Sequence, residues 1–312
     1  MTMSWLFRVT AATSMLAGFA TTAAIAAPAC DNSCLEHIAD TYRAAYLKHD
    51  PSLAPLSKTV RFTENNVEMV PFPDGSWDTV TEEVGPTLTF SDPETGNVGI
   101  YTAIMQRDTP GFLAVRLKVE KGKITEIEHI LSTKRNLSSP PTPFGEVRGA
   151  QNHDPNYTQI VPPGERSPRK QLVALADGYF STLEHNNGEI RGTRFSADAT
   201  RYENGLRFDK IEQGFKSGYY FFNNRVRDRD CFLVDEPRGI VMCRGFIDHK
   251  GVIDEYTLTD GEKKKSIFRE PQTWAFLESF KIRNGMIVSV ESTFVAAPYY
   301  MRSPWTRHPD RR

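Results

Sequence analysis

The sequence lacks the motifs that mark the commonest classes of hydrolase and nucleotide-dependent enzyme. It contains no G-x-S-x-G elbow, no G-x-G-x-x-G segment after a strand and no phosphate loop. These motifs build nucleophile turns, dinucleotide sites and phosphate cradles, so their absence argues against triad hydrolysis and against nucleotide-dependent chemistry. No cofactor is therefore predicted.

An excess of charge of either sign is also missing. The chain has 38 Lys and Arg against 39 Asp and Glu, a formal net charge of −1, which gives no electrostatic reason to bind nucleic acid. No metal site is predicted, because no H-x-x-x-H or carboxylate-rich spacing is found at His37, His129, His153, His249 and His308. His49 and His185 each follow the first predicted helix of one half of the chain, where capping of the helix end and catalysis both stay open.

Long apolar runs are confined to the N-terminus. Residues 1–26 carry one early positive charge, an apolar run and a small-x-small end, the pattern of a secretory signal peptide. The alternatives are a transmembrane anchor and, less closely matched, a lipid-modified Cys30. Cleavage of the signal predicts a periplasmic or secreted protein with no membrane contact afterwards.

Cysteines are few. Only Cys30, Cys34, Cys231 and Cys243 are present, all in the exported portion, where disulfides form. Cys231 and Cys243 lie symmetrically about a turn-like segment, so a hairpin would place them face to face. We predict Cys30–Cys34 and Cys231–Cys243 bridges, with free buried thiols as the alternative.

A proline-rich segment divides the chain. Residues 136–168 have almost no apolar periodicity and predict a semi-rigid linker. The linker separates a first domain at 31–135 from a second at 169–300, and 301–312 form a tail.

The two halves match each other in order. Each opens with an amphipathic helix, followed by the strand segments RFTEN (61–65) and TRYENG (200–205). Each closes with strand, Gly-containing turn and strand, at 116–131 and 279–294. This shared order predicts a tandem duplication whose halves form an internal pseudo-dimer, with further homo-oligomerisation left open.

The order of helix, strand and several long strands predicts an α+β roll, a curved antiparallel sheet wrapped around an N-terminal helix. The terminal segments LKVEKGKITEIE and FKIRNGMIVSVE resemble the SnoaL-like, or nuclear transport factor two-like, superfamily of cone-shaped domains. The resemblance covers about 31–135 and 168–300. It implies an apolar pocket under the sheet, on a fold that hosts isomerases, dehydratases, cyclases and plain binding domains.

The resemblance also implies where a catalytic carboxylate would lie. Ketosteroid isomerases of the superfamily carry theirs in a segment of the form A-T-V-E-D-P, and the segment 199–204 aligns Glu203 with it, with Glu64 as the counterpart. Here Glu replaces Asp and Asn replaces Pro. A slip of one residue in strand phase would turn the carboxylate out to solvent.

A carboxylate in an apolar cup gains a raised pKa and can act as a base near neutral pH. The predicted catalytic residues are Glu203, Tyr202 and Glu64, and the predicted substrate-binding residues are Asn204, Tyr179, Asn65, Tyr42 and Tyr46. The alternative is structural: each Glu pairs with Arg61 or Arg201, and each Asn stabilises a turn.

Two functions from different classes follow. The first is a cofactor-independent lyase or isomerase on a small apolar, aromatic molecule, whose most concrete version releases formaldehyde from lignin-derived diaryl units. The second is a non-catalytic exported small-molecule-binding protein. We expect the second half to be the working one, because its strand fits the family segment without an insertion.

Overall fold

The computed structural model describes residues 1, 30–69, 74–134, 142–148 and 153–306. The predicted signal peptide, apart from Met1, lies outside the described residues, as does the end of the tail. The first half consists of α1 (Asn32–Leu47), β1 (Leu56–Glu64), β2 (Val67–Met69), α2 (Ser76–Thr79), β3 (Val80–Asp92), β4 (Asn97–Gln106), β5 (Thr109–Glu120) and β6 (Lys123–Thr133).

The second half repeats this order and adds a short hairpin. Its elements are α3 (Arg169–Leu183), β7 (Phe195–Glu203), β8 (Leu206–Asp209), α4 (Ile211–Lys216), β9 (Arg225–Asp235), β10 (Ile240–His249), β11 (Glu255–Thr257), β12 (Lys263–Lys265), β13 (Gln272–Arg283) and β14 (Met286–Ala297). The hairpin β11–β12 lies between β10 and β13, where the first half has only a short turn.

Each half contains a six-stranded sheet with the same strand order, β2-β1-β6-β5-β4-β3 and β8-β7-β14-β13-β10-β9. The α+β architecture is confirmed, but the sheets are mixed, not antiparallel throughout. The first strand of each half pairs in parallel with the last, β1 with β6 and β7 with β14. The chain reaches this pairing because the long strands return to the starting edge of the sheet.

The long helices pack against the inner face of each sheet. Every apolar position at helical spacing in α1 and α3 is buried, which is what an amphipathic helix under a curved sheet requires. Asp31 caps α1 by accepting a hydrogen bond from the Cys34 amide at 2.9 Å. The inner faces thus carry the two main cores.

The outer faces of the two sheets pack against each other. A third apolar cluster joins residues of both halves, among them Phe90, Tyr101, Met242 and Leu277. The linker contributes to this interface, since Tyr157 is buried there and its hydroxyl donates to the Ser279 carbonyl at 2.8 Å. The segment predicted as a spacer is therefore partly built into the packed structure.

Both predicted disulfides are present, Cys30–Cys34 and Cys231–Cys243. Cys231 and Cys243 are directly paired across β9 and β10, as the hairpin interpretation requires. No helix among the described residues has the length and apolar character needed to cross a bilayer.

Candidate functional site

The repeated Glu-Asn segment is a two-residue hairpin turn. Glu64 pairs with Val67 across β1 and β2, and the second half pairs the equivalent residues of β7 and β8. The turn residues, Asn65-Asn66 and Asn204-Gly205, all have positive φ. Two successive positive φ values favour Asn and Gly, so the repetition of this segment has a conformational cause.

The two turn asparagines also fasten the hairpin to the neighbouring strand. Asn65 exchanges side-chain hydrogen bonds with the backbone of Leu131, and Asn204 makes the same pair with Phe294. Both amides are therefore committed to backbone groups. This is the geometry that the structural alternative describes, in which each Asn stabilises a turn, and substrate binding by Asn65 and Asn204 stays a prediction.

The second half encloses an open-mouthed cavity of about 190 Å³ between its sheet, α3 and the segment after α4. Its walls are mainly aromatic: Phe208, Tyr219, Phe222, Trp274, Phe276 and Phe294. An aromatic-lined cavity with a few convergent polar groups is the usual form of a small-molecule site.

A polar cluster, formed by Arg201, Glu203, Glu278, Tyr179 and Tyr220, lies in this cavity. The Arg201 guanidinium is 2.6 Å from the Glu203 carboxylate. It also donates to the Tyr179 hydroxyl at 3.1 Å and to the Tyr220 hydroxyl at 2.8 Å. Since both hydroxyls accept from Arg201, their own protons are available to a carboxylate or a ligand.

Glu203 and Glu278 belong to one row of side chains across three strands. Glu203 of β7 pairs with Ser292 of β14, which pairs with Glu278 of β13. Directly paired residues project to the same face of a sheet, so the two acids face the same cavity. Adjacent strands lie about 4.8 Å apart, so the two backbones are separated by about 10 Å.

The environment raises the pKa of both acids. Burial raises the pKa of Glu278 to about 8, more than Arg201 lowers it, and the nearby Glu203 carboxylate adds to the rise. Burial also raises the pKa of Glu203, although its ion pair with Arg201 opposes the rise. At neutral pH Glu278 is mainly a neutral acid, while Arg201 favours an ionised Glu203.

Tyr202 lies on the other face of β7 and does not line this cavity. It pairs with Glu291 across β7 and β14, and its neighbour Thr200 donates to Asp154 of the linker at 2.6 Å. Successive strand residues point to opposite faces, so the orientation that places Glu203 inside must place Tyr202 outside. Tyr202, predicted to be catalytic, is therefore not brought together with Glu203 in this cavity.

In the first half the equivalent positions belong to a hydrogen-bonded network around His129. The Tyr42 hydroxyl lies 2.7 Å from Nε2 of His129, whose Nδ1 lies 2.9 Å from the Ser76 hydroxyl. Glu64 accepts from the Ser76 amide at 3.0 Å, and Trp77 donates to the Tyr42 hydroxyl at 3.2 Å. Burial raises the pKa of Glu64, but hydrogen bonds with His129 and Ser76 outweigh burial and leave that pKa below its usual value.

Tyr46, the remaining predicted contact of the first half, donates its hydroxyl to Glu83. Its ring is fully buried and packs edge-on against Tyr42 and Trp77. Tyr42, Tyr46 and Glu64 thus take part in hydrogen bonds and ring contacts within the first half, whereas Tyr179 and Glu203 line the second-half cavity.

Two members of the polar cluster, Arg201 and Glu278, have apolar counterparts in the first half. The position of Arg201 is occupied in β1 by Phe62, whose ring packs on His129 with centroids 5.1 Å apart. The position of Glu278 is occupied in β5 by Val115, fully buried. The first half therefore has neither the central arginine nor the second acid.

Sequence reasoning missed Glu278, Tyr220 and the role of Arg201. Glu278 interrupts the otherwise apolar and small segment AFLESF (275–280) at a position that faces the core side of its strand. A charged residue at such a position was the available signal. Among the described residues, no group of three His, Cys, Asp or Glu side chains is placed to hold a metal ion.

Comparisons with known proteins match parts of the chain. A family model described as a domain of unknown function, DUF8021, matches residues 165–294. No curated protein matches the chain. Among solved structures, a de novo designed protein with a curved β-sheet is 16% identical, with 41% of this chain and 87% of that chain covered and a TM-score of 0.26.

Two natural proteins are similar to the same extent. A candidate ketosteroid isomerase from Kribbella flavida is 14% identical, with 45% of this chain and 90% of that chain covered and a TM-score of 0.28. A protein with a cystatin-like fold from Caulobacter vibrioides is 14% identical, with 40% of this chain and 88% of that chain covered and a TM-score of 0.27. Each likeness covers less than half of the chain.

Proposed function

We propose that the second-half cavity binds a small, uncharged, largely aromatic molecule through one oxygen atom and transfers a proton on it. The observation that carries this proposal is the pair of acids Glu203 and Glu278, held around Arg201 and two tyrosine hydroxyls in an aromatic cavity. Pairs of titratable groups with different pKa values in one site are a recurring arrangement for acid–base chemistry.

The charges of the cluster favour a neutral ligand. The Glu203 carboxylate neutralises the positive charge of Arg201, and Glu278, with a pKa of about 8, is mainly uncharged at neutral pH. A ligand carboxylate would have to displace Glu203 from Arg201, whereas a carbonyl or hydroxyl oxygen can accept from Glu278 or Tyr220 without breaking that ion pair. Burying an unpaired charge is costly, so an anionic ligand is disfavoured.

The chemical step follows from these roles. The Glu203 carboxylate removes a proton from a carbon next to a carbonyl group, and the electron pair moves onto the carbonyl oxygen. Glu278 donates its proton or a hydrogen bond to that oxygen. Return of the proton to another carbon completes an isomerisation, and departure of a group from the neighbouring carbon with its bonding electrons completes a lyase reaction.

The size of the cavity favours one ring or two fused rings. An apolar cavity of about 150 Å³ accommodates benzene, and this one measures about 190 Å³. A lignin-derived diaryl unit, the most concrete substrate considered, would leave its second ring outside the cavity. A single-ring or fused two-ring ligand therefore fits better.

One observation favours the alternative of a non-catalytic binding protein. Glu203 lies only 2.6 Å from Arg201, and an ion pair this close makes a carboxylate a weaker base. In that case the cluster would serve to orient the ligand oxygen, and the aromatic walls would supply the affinity.

We further propose that the protein is exported after removal of residues 1–26 and that its halves, 31–135 and 169–300, arose by tandem duplication. Two disulfides are typical of an oxidising compartment, which supports export. The identical strand order of the two sheets supports duplication and an internal pseudo-dimer, in which the first half acts as scaffold.

The test uses two probes with the mature chain, 27–312. Binding of 2-naphthol and of 2-naphthoate, followed by probe fluorescence, separates neutral from anionic ligands of the same shape. Deuterium incorporation into 2-tetralone in D₂O, followed by mass spectrometry, reports proton removal from carbon. Glu203→Gln and Glu278→Gln are the test variants, and Glu120→Gln, at the exposed end of β5, is the matched control.

We expect 2-naphthol to bind more tightly than 2-naphthoate, and deuterium incorporation to exceed the uncatalysed rate in wild type and Glu120→Gln but not in Glu203→Gln. Binding without incorporation would move the conclusion to the binding protein. Equal or absent binding of both probes would refute the proposed site.

A further inference from the structure

The linker segment 142–148 joins the first half to the mouth of the second-half cavity. The Phe144 ring packs edge-on against Phe112 of β5, with centroids 5.1 Å apart. Val147 belongs to the same apolar cluster, which also contains Val84. On its other side the segment places Pro143 in the cavity wall. One short stretch therefore contacts both halves.

The same segment holds the turn that follows Glu203. The Gly145 amide donates to the Asn204 carbonyl at 2.8 Å, and the Asn204 side chain donates to the Pro143 carbonyl at 3.0 Å. The backbones approach so closely that a Cβ on Gly145 would lie 2.6 Å from the Gly205 carbonyl carbon. Asn204 thus makes the strand contacts that Asn65 makes and adds these linker contacts.

Phe112 of the first half also contacts this turn directly. A Cβ on Gly205 would lie 2.2 Å from Cζ of Phe112, and Gly205 has a φ of +72°. Only glycine suits both constraints, because a side chain would meet the ring and would strain the backbone. The equivalent position of the first half, Asn66, carries a side chain. The contact with Phe112 is therefore particular to the second half.

We propose that the second-half site is completed from outside its own domain: Phe112 and the segment 142–148 are positioning elements that hold the turn Asn204-Gly205 and so aim the Glu203 carboxylate into the cavity. This inference rests on the function proposed above. Glu203 is the last residue of β7, next to a two-residue turn, and its orientation follows that turn. Displacement of a reacting group by about 1 Å can cost on the order of 100-fold in rate.

The proposal gives the two halves different roles in the site. In this arrangement the first half contributes to the site the ring of Phe112 and the surface on which the linker lies. The second half alone would lack the Pro143 wall and the contacts that hold its turn.

The test compares Phe112→Ala with Leu117→Ala in the full mature chain. Both remove a large apolar side chain from the first half, but Leu117 belongs to the core around α1 and not to the cluster beneath the turn. The first measurement is the pH titration of the Glu203 carboxyl by ¹³C NMR, assigned with Glu203→Gln. The groups that face this carboxyl are Arg201, Glu278, Tyr179 and Tyr220.

We expect the Glu203 midpoint to fall towards its ordinary value in Phe112→Ala, since a loosened turn admits water to the carboxyl, and to stay unchanged in Leu117→Ala. Affinity for 2-naphthol should fall about tenfold in Phe112→Ala, with Phe112→Leu recovering most of it. A midpoint that is the same in wild type and Phe112→Ala would overturn the inference. So would equal shifts in the two alanine variants.

The titration keeps this inference separable from the proposed function. If wild type binds no 2-naphthol, the proposed function fails, while the Glu203 midpoint still reports on the positioning contact. Should Phe112→Ala not fold, Phe144→Ala removes the half-buried partner ring and must shift the midpoint in the same direction. A second check is Gly205→Ala, which should shift the midpoint far more in wild type than in a Phe112→Leu background; equal effects would contradict the contact.

Discussion

Replacing Glu278 with glutamine should stabilise the protein above about pH 8 and change its stability little below pH 4.5. Burial raises the pKa of Glu278 from 4.5 to about 8 in the folded chain. Between these values the folded state holds a proton that the unfolded state has released. The stability that protonated Glu278 contributes is therefore fully present below the unfolded pKa and is lost as the pH rises through the folded pKa.

The size of this effect follows from the interval between the two pKa values. Each unit corresponds to about 1.4 kcal/mol, so the interval from 4.5 to about 8 represents about 5 kcal/mol at most. The side chain is almost fully buried, so solvent screening takes little from this figure. Glutamine resembles the protonated acid in shape and charge and does not titrate. The glutamine variant should therefore not lose stability as the pH rises. It gives up only the difference in strength between a hydrogen bond donated by a carboxyl group and one donated by an amide.

The assay is urea unfolding of wild type, Glu278→Gln and Glu120→Gln at intervals from about pH 5 to pH 9. The stability difference between Glu278→Gln and wild type should rise with pH by up to about 1.4 kcal/mol per unit and level off above pH 8. The stability of Glu120→Gln should change with pH in the same way as that of wild type. If Glu278→Gln also runs parallel, Glu278 is ionised at neutral pH in the folded chain, and its role as the acid of the site is refuted.

Three further predictions concern the contacts around the two cores. Arg201→Met leaves Glu203 buried without its cation, so urea unfolding at pH 8 should show a loss of stability of about 3–5 kcal/mol. The loss should be smaller in acid, where Glu203 takes up a proton, and an equal loss at pH 8 and in acid would contradict the ion pair. The Cys231→Ser/Cys243→Ser variant opens a short covalent loop and should lose about 3 kcal/mol. A reducing agent should lower the stability of wild type by more than that of the variant, which retains only the Cys30–Cys34 bridge. Trp77→Ala should cost about 3–5 kcal/mol through the void it leaves, while 2-naphthol binding stays as in wild type; weakened binding would place the ligand in the first half.

Much of the fold follows from local patterns. Helical spacing in α1 and α3 and the turns Lys121-Gly122 and Asn284-Gly285 are short-range signals, and each predicted the element that forms. The parallel pairing of β7 with β14 is different, because it joins segments about 90 residues apart with no turn between them to fix the register. No local pattern distinguishes it from an antiparallel edge.

The site was predictable only in part, for the same reason. The resemblance to ketosteroid isomerases led to Glu203, and helical spacing led to Tyr179; both line the second-half cavity. Glu278 lies on β13, which is separated from the strand of Glu203 by β14, so the two acids come together only when the sheet has assembled. The position of Asn204 had a local signal, because Asn-Gly is a strong hairpin signal, and a turn placed after Glu203 includes Asn204.

The two halves place different side chains at equivalent positions of the same sheet order. In the first half, Phe62 and Val115 occupy the places of Arg201 and Glu278, and Trp77 packs over the result. Burying an arginine with two acids is seldom a net gain in stability over apolar side chains of similar volume. The second half therefore carries a cost that the first avoids, and the back-to-back packing of the two sheets provides stability against which that cost can be set. The apolar contact between the two sheets can therefore offset the stability that the second half gives up to keep this polar cluster.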